Sequence, residues 1–189
     1  MKKKIVMSAL LLMLVACGGL KKDYVVLEQS RGDEPKWLGN NLKSERKENP
    51  SLELYYGDAN GANKTICEKG AEAKAKTALV EYIEENIESG YKQAASEEKS
   101  ANDSNKNEEA LARTLSTKIS KSVTGVKVND KYWEKVQHQV KLGAEKEFVE
   151  YKCHALLSMD KAKLQTEVDK ALVNVDARVA AAIKKEFAE

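Results

Sequence analysis

The sequence predicts an α+β fold: a small antiparallel sheet, made of a short first strand and a long hairpin, packed by amphipathic helices, with a long helix at the C-terminus. Two stretches carry the hairpin. Tyr132, Val136, Val140 and Leu142 alternate with Lys135, Gln137, Gln139 and Lys141, and Val149, Tyr151, Cys153, Ala155 and Leu157 alternate with Glu150, Lys152 and His154. Side chains on a strand point to its two faces in turn, so each stretch reads as a strand with one polar face, and Gly143 reads as the turn between them. Elsewhere apolar residues recur at three- and four-residue intervals, the spacing of one face of a helix. Both prolines fall at or before Pro50, which leaves the rest of the chain free for long regular elements.

The amino terminus has a different character. Lys2, Lys3 and Lys4 form a cationic head, Ile5 to Val15 an apolar run, and Leu14-Val15-Ala16-Cys17 closes it with small residues. This is the pattern of an export signal over residues 1–16. The run is about half of the roughly 20 residues that cross a bilayer, so it is not expected to persist as a transmembrane helix. Leu-Val-Ala-Cys resembles the lipobox of bacterial prolipoproteins, in which the cysteine thiol receives diacylglycerol and the new amino group is acylated, commonly with palmitate. Cys17 is the expected lipidation site. Two or three acyl chains anchor durably, because each buried methylene contributes about 0.8 kcal/mol. Gly18, where inner-membrane lipoproteins often carry Asp, resembles the proteins sent to the outer membrane.

Residues 17–50 lack sustained periodicity and mix Lys, Glu, Asn, Gly and Ser around Pro35-Lys36-Trp37-Leu38. They read as a lipidated cysteine followed by a flexible tether. The tripeptide Arg31-Gly32-Asp33 within it matches an integrin-recognition sequence, a three-residue signal that chance readily supplies. Residues 51–189 read as one domain. Leu52 to Tyr56 is the short strand, ended by the turn-rich Gly57-Asp58-Ala59-Asn60-Gly61. Cys67, Ala71, Ala75, Ala78, Leu79, Tyr82, Ile83 and Ile87 follow at helical spacing, with Thr65 and Glu68 placed as a capping box. Alanines on that face permit close approach to a sheet or a second helix. Ser89 to Asn107 is polar and reads as a loop or frayed helix end, and Leu111, Leu115, Ile119 and Val123 mark a second helix ended by Gly125. From Lys161 to Phe187, Leu164, Val168, Leu172, Val175, Val179, Ile183 and Phe187 lie on one stripe, predicting a single helix roughly 40 Å long.

The chain carries 32 Lys and Arg against 30 Asp and Glu. Loss of Lys2, Lys3 and Lys4 with the signal leaves 29 against 30, a net charge of −1. So evenly mixed a surface lacks the clustered basic footprint of a nucleic-acid binder. Cys67 and Cys153 remain after Cys17 is modified. In an oxidising compartment they can pair, closing a loop worth roughly 4 to 5 kcal/mol, or they can lie as two buried free thiols. His138 shares the parity of Val136 and His154 that of Lys152, which predicts opposite faces and argues against a shared metal site. No serine stands in a nucleophile-elbow context and no glycine-rich loop joins a strand to a phosphate-binding helix. No catalytic residue, cofactor or metal is expected. Among the aromatics Trp37, Tyr55, Tyr56, Tyr132 and Trp133, the candidates for binding are Trp133, Tyr132 and Trp37.

The order of motifs is lipobox, Pro-Lys-Trp, Tyr55-Tyr56-Gly57, the alanine-rich helix Cys67-Glu68-Lys69-Gly70-Ala71-Glu72-Ala73-Lys74-Ala75, Tyr132-Trp133-Glu134 and Tyr151-Lys152-Cys153-His154-Ala155-Leu156-Leu157-Ser158-Met159-Asp160. It resembles the Lpp-twenty family of bacterial outer-membrane lipoproteins over roughly residues 35–170. The resemblance implies a small domain with helices backing a sheet and a role in envelope integrity, flagellar outer-membrane structure or surface antigenicity. It carries over no catalytic residues, and Cys67 and Cys153 depart from its pattern. The expectation is therefore a non-enzymatic, lipid-anchored outer-membrane protein with a structural or interaction role, facing the periplasm or the cell surface. Its partner would be an envelope protein or another copy of itself. The alternative is a tethered module that binds peptidoglycan.

Overall fold

The computed structural model describes residues 22–96 and 105–188, with the side chains of 105–109 not described. The export signal and Cys17 lie outside these residues. The described residues form β1 (Tyr24–Gln29), α1 (Lys43–Glu48), β2 (Leu52–Gly61), α2 (Lys64–Ser96), α3 (Asn105–Ser122), β3 (Lys127–His138), β4 (Phe148–Asp160), α4 (Lys161–Ala171) and α5 (Ala177–Glu186). The strands make one antiparallel sheet in the order β1-β3-β4-β2. The α+β class and the β3–β4 hairpin expected from alternation are present.

One face of the sheet is covered by helices. The buried stripe of α2, Cys67, Ala71, Ala75, Leu79, Ile83 and Ile87, continues through Gly90 and Ala94. Its first half lies over β2 and β4. There the small residues decide the geometry: a Cβ on Gly57 would stand 2.2 Å from the Ala71 carbonyl oxygen and 2.3 Å from the Ala75 nitrogen. Only a glycine lets the helix backbone come that close. Farther along, Leu79, Ile83 and Ile87 pack with Tyr55, Leu157 and Met159 of the sheet, Leu115 and Ile119 of α3, Leu164 and Val168 of α4, and Ile183 of α5. At the start of α2, Cys67 and Cys153 are joined by a disulfide, with Cα atoms 5.7 Å apart, packed with Ala71 and Ala155.

Several expectations are corrected. Residues 17–50 are not a tether in their described part: β1 adds to the free edge of β3, and Trp37 and Leu42 are buried against Leu54, Tyr132 and Leu156 on the sheet's other face. The first strand is not short, because Gly57 to Gly61 continue it in register with β4 as far as Tyr151. Small residues that look like a turn serve as clearance beneath α2. The cap of α2 is Asn63, whose Oδ1 accepts the Ile66 N–H at 3.2 Å, rather than Thr65 with Glu68. That helix runs on to Ser96, into the stretch expected to be a loop or a frayed helix end. The C-terminal helix is two helices: the chain turns between Leu172 and Asp176, and the Asp176 carboxylate caps α5 by accepting the Arg178 and Val179 N–H groups. The turn brings α5 back onto α2, where Ile183 occupies the space left by the missing side chain of Gly90.

Candidate functional site

Directly paired residues of neighbouring strands project from the same face. The pairing Tyr132↔His154↔Asp58 and Glu134↔Lys152↔Asn60 therefore gathers these six side chains on the face away from the helices. His138 pairs with Phe148 two rows farther along. Both histidines thus lie on one face, against the parity expectation, because the pairing sets Val136 opposite Glu150 and Lys135 opposite Tyr151, so the apolar stripe of β3 shares a face with the polar stripe of β4. Four strand positions separate Glu134 from His138, and among the described residues no group of three or more His, Cys, Asp and Glu side chains could hold a metal.

The segment after β1 crosses the far end of this face. Arg31 donates to Asp130 Oδ2 at 2.7 Å, the Trp37 indole donates to the same oxygen at 3.0 Å, and the Arg31 guanidinium stacks over Tyr132. Burial pushes the Asp130 carboxyl up, but the hydrogen bonds from Arg31, Trp37 and the Lys131 backbone outweigh it and leave the group below its ordinary value. Arg31, the first residue of the integrin-like tripeptide, is thus engaged in holding the fold. Gly39 and Asn40 then take left-handed backbone angles, φ 66° and 65°, which these two residue types tolerate best, and turn the chain back over Tyr56 toward α1.

Between this crossing segment and the start of β1 lies an open cleft of about 630 Å³. Tyr56, Asp58, Asn60, Glu134, Lys152 and His154 form its floor, and Lys22, Tyr24, Glu34, Lys36 and Gly39 stand around it. Glu134 is 3% exposed and accepts the Tyr132 hydroxyl at 3.0 Å. Burial and then Glu134 push the Tyr132 phenol well above its ordinary range, so the proton stays on the tyrosine. Tyr56 Oη and His154 Nδ1 are 2.7 Å apart. Burial lowers the His154 imidazole from its ordinary 6.5 against the opposing charges of Asp58 and Glu134, while burial raises the Tyr56 phenol. A neutral imidazole beside a protonated phenol makes Tyr56 the donor and Nδ1 the acceptor. Lys152 Nζ lies 3.9 Å from the centre of the Tyr24 ring, a cation–π contact, and Lys22 pairs with Glu34 at 3.3 Å.

The cleft therefore offers aromatic faces, hydrogen-bonding groups and charges of both signs within one concave surface. The Tyr56–His154 pair can relay a proton, but none of the lining residues is a serine, threonine or cysteine nucleophile. Its chemistry suits holding a polar ligand.

The aromatics singled out in the sequence do not form one cluster. Trp37 and Tyr132, 2% and 0% exposed, are packed beneath the crossing segment and support the cleft from inside. Trp133 lies on the helix side, paired with Cys153, its ring under Lys64 Nζ at 4.0 Å and edge-on to Tyr151. Tyr55 is in the helix-side core. The cleft residues Tyr24, Glu134 and Lys152 carry no binding signal in the sequence, and His154 is weighed there only as a metal ligand, because these side chains are brought together only by pairing across β1, β3 and β4. Their signal was the register of the hairpin, which alternation alone does not fix. No family model, no curated protein and no solved structure matches this chain.

Proposed function

We propose that this protein is a non-enzymatic, lipid-anchored lipoprotein of the bacterial outer membrane whose outer-face cleft holds a segment of an envelope partner. The cleft is the observation that carries the binding role: an open concave surface lined by Tyr24 and Tyr56 together with Lys22, Lys152, Asp58 and Glu34. The Asp130 hydrogen bonds to Arg31 and Trp37 tie down the crossing segment that bounds it. The anchor rests on Lys2 to Lys4, the apolar run and Leu14-Val15-Ala16-Cys17. The likeness of the chain's motifs to those of the Lpp-twenty lipoproteins points the same way. A photo-crosslinking residue at Lys36 or Asn60, exposed positions lining the cleft, should capture one dominant envelope protein in cells, whereas the same residue at exposed Lys76 on α2 should not. Equal or absent capture at both places removes the cleft as the partner site.

The mixed charge of the cleft favours a second reading. A peptidoglycan stem peptide carries amino and carboxylate groups together, and such a ligand matches lysines and carboxylates set a few ångströms apart beside tyrosine rings. Co-sedimentation with purified sacculi, lost on Lys152→Glu, is its expected signature. Failure of the unaltered protein to co-sediment ends it.

A further inference from the structure

The chain enters the fold next to an uncovered apolar tip. The β3–β4 connection and the start of β4 expose Val140, Leu142, Phe148 and Val149 at 57%, 40%, 40% and 44%. Val140 to Leu142 form a tight helical turn ended by Gly143 at φ 110°, so these side chains are held outward by backbone geometry. The tip is also tied to the first described residues. The Gln139 N–H donates to the Asp23 carbonyl at 3.0 Å, Tyr24 pairs with His138, and His138 stands between Asp23 and Glu150 with the Phe148 ring stacked on it at 4.2 Å.

We propose that this tip is a membrane-docking surface that enters the interfacial layer of the bilayer holding the lipid on Cys17. The inference rests on the lipoprotein reading above. From Cys17 to Lys22 there are five chain steps, which reach at most roughly 18 Å when fully extended. An acylated Cys17 therefore keeps the end of the domain that bears Asp23 and the hairpin tip close to the membrane. Nothing longer separates them. Apolar side chains held at that distance leave water by entering the headgroup and upper acyl region, as an interfacial anchor does. Lys141 and Lys146 flank the tip and can reach headgroups with their ends while their stems lie along it; the Lys146 ammonium is already 5.9 Å from the Phe148 ring centre. Glu145 and Glu147 balance those two charges, so the contact is apolar rather than an attraction to anionic lipid. Docked this way, the domain works at the membrane surface, and the cleft faces partners lying along it.

The test uses full-length acylated protein in vesicles of phosphatidylethanolamine and phosphatidylglycerol, with and without bromine on the acyl chains. Leu142→Trp places a fluorophore in the tip, Val140→Trp is a second probe should the first fold poorly, and Ser51→Trp is the control, beside the opposite end of β4. With the wild-type signal subtracted, the tip tryptophan should shift to the blue and lose most of its intensity in brominated vesicles, and the control should do neither. An unquenched tip on protein that floats with the vesicles overturns the docking and leaves the anchor intact. Tip-to-tip crosslinks between copies, with the tip unquenched, overturn it in favour of a second copy. Protein that neither takes up labelled palmitate at Cys17 nor floats overturns the docking together with the lipoprotein reading.

Discussion

At the residue scale, two side chains and one absent side chain set the properties of the sheet. Gly57 is the absent one. Because a Cβ there would overlap the Ala71 and Ala75 backbone, Gly57→Ala must push α2 off the sheet, and overpacking of this kind costs about 1 to 3 kcal/mol or more. Urea unfolding should show that loss with little change in the denaturant slope, whereas Gly32→Ala, with open space around it, should be close to neutral. Asp130 and His154 set the acid response. His154 has its folded value held below 6.5, so as pH falls the unfolded chain takes this proton first. Its contribution to stability is full above about pH 6.5 and declines below it, until the folded imidazole is also protonated. Asp130, held below 3.8, contributes above that value and loses its contribution as pH falls through its lower folded value. A pH series of melting temperatures should fall in these two stages, and His154→Gln should flatten the first while leaving the second.

At the element scale, the disulfide fixes where α2 begins relative to β4. Cys67 lies in the first turns of the helix and Cys153 in the middle of the strand, 86 residues apart. Closing so long a loop is worth roughly 4 to 5 kcal/mol in the chain-entropy account. The double variant Cys67→Ala/Cys153→Ala, or the reduced protein, should lose a comparable amount in urea, with the loss matching between the two. The residue pattern made parts of this arrangement legible. The four-residue spacing from Cys67 to Ile87 predicts the buried stripe of α2 correctly, and the alternation around Val136 and Cys153 predicts the hairpin. What the pattern could not convey was partnership. Gly57, Ala59 and Gly61 read as a turn because glycine is the usual turn residue, yet here they make room for a helix that lies far along the chain. The stripe from Leu164 to Phe187 is periodic on both sides of Asp176, so it reads as one helix; the capping carboxylate that starts a second one outweighs that continuity. The cleft was less legible still, since its members gain a common location only from register.

At the scale of the whole molecule, the main consequence is that the fold starts before Ser51. A chain beginning there keeps α2 to α5 and three strands, and so retains most of the helix-side core. It loses β1, which leaves the hydrogen-bonding edge of β3 bare, and it loses Trp37 and Leu42 from the cluster over Leu54, Tyr132 and Leu156. Each such apolar side chain contributes about 1.5 to 3 kcal/mol when buried, a large share of the 5 to 15 kcal/mol by which domains are usually stable. A bare edge strand beside exposed apolar surface is also a template for pairing with other chains. The fragment 51–189 should therefore bind a hydrophobic dye and sediment as aggregates where the chain from Lys22 is soluble and dye-free. A monomeric, cooperatively unfolding fragment would restore 17–50 to the status of a tether. It would also loosen the link between the lipid and the hairpin tip, since the strand that joins them would then be free to detach.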